Sequence, residues 1–585
     1  MTTEDDCVLI GQNAGTDLTD TGANGTVAIG KDALRSITSG VGNVAIGWKA
    51  MDGLTDEDFS TAVGFQALSG IAGSAGHNAN TAVGYQAGLA VSTGTDNTAI
   101  GMQALLAEDT GNRSTAIGTQ ALYSQNKDGN TNNTGVGVFA GYRNVTGINN
   151  TYVGANAGLG TAGGDVSNTG NTGIGSDALA AITDGQYNSA LGVTTGDALT
   201  TGDYNVFLGA GAGGSTQDID HSVIIGYSAG GAVMTGGGGA DGTVAIGSLA
   251  LNLLTSGGGN IAIGYGALKT QTDGTHNIAI GMDALDAAST GEDHNIAIGT
   301  AALGNLNNSG AVRNIAIGSY SGDGMGALAN VDNIFIGYAA GGGTWSNAAS
   351  SHNIAIGSYA MDAAQDGNGA QQNTVVGHSA GTAITTGDSN VFMGYLAGDS
   401  ITTGYQNVLI GSGSDCNIVG GLNQVAIGYG TAGQGNNSAV FGNSSISATH
   451  VQVDWTVDSD RRIKKDIEDS DIGLSFINAL QTRKFRKKHP SEWDSEILDE
   501  RYKKGGVNYD DEKDEIIKDE FDDEKVWNGL IAQEVKSAMD STGESFSGWS
   551  ENYKGKQGVQ YSTMVIPLIK AVQELSAKVE ALENK

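Results

Sequence analysis

Asn277-Ile278-Ala279-Ile280-Gly281-Met282-Asp283-Ala284 decides the fold, because it is one copy of a motif that fills most of the chain. It occurs earlier as Asn43-Val44-Ala45-Ile46-Gly47-Trp48-Lys49-Ala50 and as Asn97-Thr98-Ala99-Ile100-Gly101-Met102-Gln103-Ala104. Indexed on its glycine, the motif runs from Gly11 to Gly442 in 25 copies, most often 17 residues apart, and the last step from Gly428 to Gly442 is 14. The residue before the glycine is apolar in all 25 copies. Asn stands four before it in 17 copies, and Ala three after it in 20. The rest of each unit is rich in Thr, Gly, Asp and Asn, which are turn formers.

A three-residue apolar strand closed by glycine cannot bury its own face, but stacked copies can. The pattern therefore predicts a solenoid or roll held by contacts between neighbouring turns. Layers about 4.8 Å apart would make 25 copies a rod on the order of 120 Å. Side chains alternate along a strand, so the β-branched residues on either side of the central Ala share one face, and Ala shares the other with the marker Gly. The bulky face is expected to fill the coil. The small face is expected to let a second backbone approach. Stacked Asn amides are expected to form a ladder or to cap turns. Extra residues in the longer units should loop outward on one side.

Composition agrees. The chain has 94 Gly but only two Pro, Pro490 and Pro567, which excludes collagen. Residues 1–458 carry 36 acidic and 8 basic side chains, a net −28, while the last 127 residues come to −6. An acidic rod is not a phosphate-backbone binder, so no nucleic-acid partner is expected. Its charge instead keeps a long β-surface soluble and blocks side-by-side association. Cys7 and Cys416 do not form a disulfide framework. No run of 18 apolar residues suggests a membrane span, and the N-terminus does not read as a secretory signal. The repeated Asn, Thr and Asp read as ladders and turns rather than a calcium array, since Gly-Gly-x-Gly-x-Asp does not recur. His77, His221, His276, His294, His352 and His378 show no fixed short spacing, so neither a metal nor another cofactor is expected.

The Asn-x-Ala-Ile-Gly-x-x-Ala motif resembles the head repeats of trimeric bacterial adhesins and repeats in some phage tail fibres. That resemblance implies three chains, each a parallel β-roll, packed about a three-fold axis. Adhesin repeats are nearer 14 residues, as only the final unit is here.

After Phe441-Gly442 the repeat stops, and His450-Val451-Gln452-Val453-Asp454-Trp455 reads as a last strand. Three segments follow: Ser459-Asp460-Arg461-Arg462-Ile463-Lys464-Lys465-Asp466-Ile467, Gly529-Leu530-Ile531-Ala532-Gln533-Glu534-Val535, and Tyr561 through Leu575. In this order, at the end of a β-fibre, they resemble the intramolecular chaperone domain of phage tailspikes and tail fibres, also called peptidase S74. The resemblance implies a domain that trimerises, assists folding of the fibre before it, and cuts itself off immediately before the motif serine. It makes Ser459 the nucleophile, Lys464 its base and Asp458–Ser459 the scissile bond. Asp460 and Arg462 would organise the site by ion pairing. Lysine can deprotonate a serine where burial lowers its pKa, and Ser–Lys pairs are an established variant of the serine–base arrangement. Lys465 is the rival base, and the motif spacing favours Lys464.

Leu568, Val572, Leu575, Val579 and Leu582 follow 4-3-4-3 spacing, a coiled-coil seam. The bland alternative is one amphipathic helix packed on its own domain. The charged stretch 487–525 reads as a solvated loop or hairpin.

The expected organisation is mainly β. A short tail, 1–6, precedes roll repeats over 7–445 and a connector over 446–458. A small α+β chaperone domain over 459–585 carries its coiled coil at about 564–583. The expected function is a homotrimeric virion fibre or appendage, assembled in the host cytoplasm and attached to the virion tail or an adaptor protein. Its partner would be a host surface receptor, a glycan or an outer-membrane component, without membrane insertion. The alternatives are a cell-surface trimeric adhesin, or a fibre with polysaccharide-binding or -degrading activity. The repeat begins almost at once, at Val8-Leu9-Ile10-Gly11, so no separate attachment domain is expected before it.

Overall fold

The computed structural model describes residues 6–18, 23–71, 77–161, 166–234, 239–345, 348–363, 369–443, 445–446, 460–498, 502–504, 509–510, 513, 515–516, 525–551 and 555–585. The chain divides into two compact units, Met1–His352 with Gln365–Asn368, and Asn353–Ala364 with Gly369–Lys585. The fold is mainly β, and the repeat builds a long β-solenoid. Among the described residues the first unit holds 19 three-residue strands of the repeat, from Val8–Ile10 to Ile334–Ile336, and the second holds six, from Ile354–Ile356 to Ala439–Phe441. Each strand contributes one rung of a parallel ladder in strict register: Ile261, Ala262 and Ile263 pair with Ile278, Ala279 and Ile280.

The two faces of the strand are reversed from the expectation. The central residue is buried and the two β-branched neighbours are half-buried or exposed, as in Val44-Ala45-Ile46 and Ile278-Ala279-Ile280. A 17-residue coil encloses too small a cross-section for two β-branched side chains per layer. Its interior is filled instead by the strand Ala, the Ala three after the glycine, and a Leu or Met one further on. Ala62, Ala67 and Leu68, with Ile71 from the next corner, are examples. A large central residue is compensated within its own turn. Where the central strand residue is large, as at Tyr152, Phe207, Phe335 and Phe392, the position four after the marker glycine is itself glycine. A Cβ at Gly158 would lie 2.4 Å from the Tyr152 ring, and one at Gly398 2.6 Å from Phe392. Close packing leaves no room for both.

The marker glycine behaves as expected, letting neighbouring backbones approach. Gly264 has φ +138°, and a Cβ there would stand 2.3 Å from the carbonyl oxygen of Gly281. The buried asparagines form the expected ladder. Asn188 donates its backbone N–H (2.9 Å) and its amide (3.1 Å) to Asn171 Oδ1, and also donates its amide to the Gly202 carbonyl (2.7 Å). Its own Oδ1 accepts the Asn205 N–H at 3.0 Å. Each such Asn thus satisfies polar groups of the neighbouring turn, which buried amides require. A second ladder uses carboxylates: Gln186, Asp203 and Asp220 each donate a backbone N–H to the Asp one turn on, at 2.7, 2.7 and 2.9 Å. Part of the rod's acidity is therefore turn structure.

The extra residues of the longer units at 72–76, 162–165, 235–238, 346–347 and 364–368 lie outside the described residues, as does the strand expected at 450–455. Among the described residues no helix is long and apolar enough to cross a membrane.

One buried carboxyl in the last turns carries a pH dependence. Burial pushes Asp415 up to about 7, against the hydroxyl of Ser400, which donates to it, and the nearby Asp399 carboxylate adds to the rise. A carboxyl whose folded pKa lies above its unfolded value of 3.8 stabilises the fold fully below that value. This contribution is lost as pH rises to about 7. Asp415→Asn is expected to stabilise the protein at pH 8, by a few kcal/mol at most on the order-of-magnitude scale of such shifts. The advantage should shrink toward pH 5. Denaturant midpoints of both proteins at the two pH values check this.

Candidate active site and C-terminal module

Among its described residues the C-terminal part of the second unit has three α-helices, α1 (Leu474–Ala479), α2 (Ala532–Thr542) and α3 (Val565–Glu583), with short antiparallel ribbons between them. Arg483–Arg486 pairs with Val526–Gly529, and Trp549–Glu551 with Gln557–Val559. Within the charged stretch 487–525, Tyr509–Asp510 pairs with Glu515–Ile516, so a hairpin forms there.

The core is small. Phe476 of α1 meets Phe546 at 5.4 Å between ring centroids, and Val535, Ala538 and Met539 of α2 pack beside them with Met564. Those three α2 residues fall at i, i+3 and i+4, one helical face. Gly543, at φ 74°, ends α2 by donating to the Met539 carbonyl. α1 is tied to α3 at its first turn, where the Leu474 N–H donates to Glu574 Oε2 at 2.9 Å. A Cβ at Gly473 would fall 2.5 Å from that carboxylate. Tyr561 Oη accepts the Leu530 N–H at 2.7 Å, joining the second and third of the segments that the sequence singled out.

The first segment enters as a short 3-10 turn, Arg461–Ile463. Asp460 caps it by accepting the Arg462 N–H at 2.8 Å. The Arg462 guanidinium also grips the Asp460 carboxylate, through Nε at 3.0 Å and through Nη2. Those hydrogen bonds hold Asp460 below the usual carboxylate range. The expected Asp460–Arg462 pairing is thus present. Lys464 follows with its N–H on the Arg461 carbonyl at 3.2 Å, in a stretch exposed from Asp460 through Asp469. Asp458 and Ser459 lie outside the described residues, so no Ser459–Lys464 geometry is stated. Lys464 and Lys465 are both exposed in the single chain, and the burial a lysine base requires is not provided there.

On α3 only Pro567 and Ala571 are buried. The seam residues Leu568, Val572, Leu575, Val579 and Leu582 all face solvent, Val572 at 61% and Leu582 at 70%. α3 packs on its own domain through Pro567 and Ala571, and the face with 4-3-4-3 spacing is left exposed.

Residues 459–544 match the Peptidase_S74 family, chaperone of endosialidase. The second unit thus carries a chaperone-of-endosialidase domain at its C-terminal end, behind the solenoid, and the match starts at the motif serine. Peptidase_S74 implies an autoproteolytic peptidase domain. No curated protein matches this chain.

Sequence reasoning missed the groove between α1, the Arg483–Arg486 ribbon and α3, because its residues come from three distant stretches with no common spacing. Its volume is about 700 Å³. Among the described residues no group of three or more His, Cys, Asp or Glu is placed to hold a metal ion. Two of the scattered histidines, His276 and His294, stack on each other from consecutive turns at 5.2 Å.

Proposed function

We propose that this chain is a homotrimeric virion fibre protein whose chaperone domain brings three chains into register, assists their folding and then releases itself by cutting Asp458–Ser459. The observation that carries this reading is the match of the chaperone family beginning at Ser459, where the repeats have given way to a domain with an exposed seam. Ser459 is the nucleophile, Lys464 the base, and Asp460 with Arg462 shapes the turn between them. The mature fibre is then residues 1–458, serving in attachment to a host surface component.

Two exposed apolar features support the trimer. One is the seam of α3. The other is the outward face of the solenoid strands, where Ile46, Ile100, Leu191 and Leu208 are between 36 and 50% exposed and aligned turn upon turn. A continuous apolar stripe of this kind marks an interaction surface. Identical layers offer many near-equivalent alignments of three chains, so a terminal domain that associates first removes the ambiguity. Its release leaves a rod that cannot easily refold and is trapped kinetically.

The test is the oligomeric state of the uncleaved Ser459→Ala protein by light scattering. A trimer is expected. Val572→Asp with Leu575→Asp, added to it, is expected to abolish the trimer and to lower the yield of folded rod, since two charges per chain would be buried without partners. A Ser459→Ala protein that is a folded monomer, or a seam variant that is still trimeric, would overturn the reading.

A further inference from the structure

We propose that the groove of the chaperone domain is a client site. It would hold unfolded repeats of this protein's own solenoid as an extended, acidic peptide with two β-branched side chains on one face. The inference rests on the chaperone reading above and deepens it.

The groove has the right chemistry for that occupant. Its floor is apolar, formed by Ile477, Leu480 and Met564, with Leu568 at its edge, and its volume of about 700 Å³ lies within the range of ligand pockets. One side is the end of the antiparallel ribbon, where Arg483 and Lys484 pair with Gly529 and Asn528. Arg483 is held by Glu534 at 2.9 Å, while Lys484 stands exposed on the rim, and Lys487 lies nearby on the same basic run, over the Trp527 ring at 4.6 Å. The floor offers burial, and the rim favours negative charge.

The repeats supply both halves of the complement. In the folded solenoid the β-branched pair flanking the central Ala, such as Ile278 and Ile280, is only half-buried, and unfolding adds the interior Leu285, so an unfolded copy presents both as apolar surface that needs cover. The repeat region carries −28 overall, and residues 277–293 alone contain Asp283, Asp286, Glu292 and Asp293 with no basic residue. A competing occupant would be α3 of a second copy. Its residues, 565–583, carry Lys570 and Lys578 against Glu574, Glu580 and Glu583, a net −1, so the cationic rim discriminates in favour of the repeat.

A labelled peptide of residues 277–293, titrated with full-length Ser459→Ala protein and followed by fluorescence anisotropy, tests the site. Saturable binding is expected, weakened about tenfold by Lys484→Glu and several-fold by 0.5 M salt, on the order expected for a rim charge. Replacing the four acidic residues of the peptide with their amides should weaken binding to a similar extent. Leu480→Asp should abolish it. Because that floor variant risks misfolding, the exposed Lys484→Glu carries the decision. Absence of saturable binding up to about 1 mM, or affinity indifferent to Lys484→Glu, overturns the proposal. Displacement of the repeat peptide by a peptide of residues 565–583 assigns the groove to a second copy and also overturns it. The two readings fail separately. Cleavage and trimer formation without peptide binding would sink the client site alone. Peptide binding by a chain that never cuts itself would sink self-release alone.

Discussion

Replacing Ser459 with alanine is expected to leave the chain intact at 585 residues, whereas the wild type is expected to separate into one piece ending at Asp458 and another beginning at Ser459. In the proposed mechanism the nucleophile sits immediately after the bond it breaks. Its Oγ would bond to the Asp458 carbonyl carbon as the C–N bond opens, the freed nitrogen would take up the proton, and water would then release the ester. Alanine has no group to form that bond, so the loss is complete rather than partial. Lys464→Ala removes only the base and is expected to slow cleavage by about 10²–10⁴-fold, the usual share of proton transfer. Lys464→Arg should not rescue it, because a guanidinium stays protonated. Intact mass and the N-terminal sequence of the released piece decide the matter. Cleavage of the Ser459→Ala chain, or a wild-type cut elsewhere, would remove Ser459 from the mechanism. Activity retained in Lys464→Ala and lost in Lys465→Ala would move the base by one residue.

The second large effect belongs to the solenoid. Gly264→Ala is expected to cost more than about 3 kcal/mol and to unfold the turns around it. The new methyl would stand 2.3 Å from the Gly281 carbonyl oxygen, a backbone atom fixed by the ladder on both sides, and φ +138° is strained for any side chain. Neither the strand nor its neighbour can retreat without breaking register with the next turn, and in a stacked array each turn is held by its neighbours. Gly242 is the control. Its φ of +67° is also left-handed, but a Cβ there meets nothing within 4 Å. Gly242→Ala should therefore cost only about 1 kcal/mol of conformational strain. Limited proteolysis and denaturant titration of the two variants separate the effects. Equal stability of the two would mean that close backbone approach is not what the marker glycine serves.

The solenoid was legible because its evidence is periodic. The glycine marks the closest backbone approach, the Asn four before it runs the polar ladder, and the Ala three after it turns inward, all as read from spacing alone. The two strand faces were not legible. Alternation says that Ile278 and Ile280 share a side opposite Ala279, but not which side is the interior. That depends on how much volume a 17-residue coil encloses, and the closed turn leaves room only for the Ala side once Leu or Met from the corner is in place. The aromatic–glycine exchanges at Tyr152 with Gly158 and Phe392 with Gly398 were visible clues to the same limit.

In the C-terminal domain the sequence by itself marked the motif from Ser459 to Ile467, the exposed apolar face of α3 and the Asp460–Arg462 pairing, because each lies within a few residues or on one helical repeat. Tertiary structure alone decided what Lys484, Leu480, Met564 and Leu568 build together. It also placed Glu574 under the first turn of α1, a hundred residues away. Short-range order is written in spacing, since backbone geometry repeats every two or 3.6 residues. Which distant surfaces close on one another depends on volumes and charges that meet only when the chain has folded.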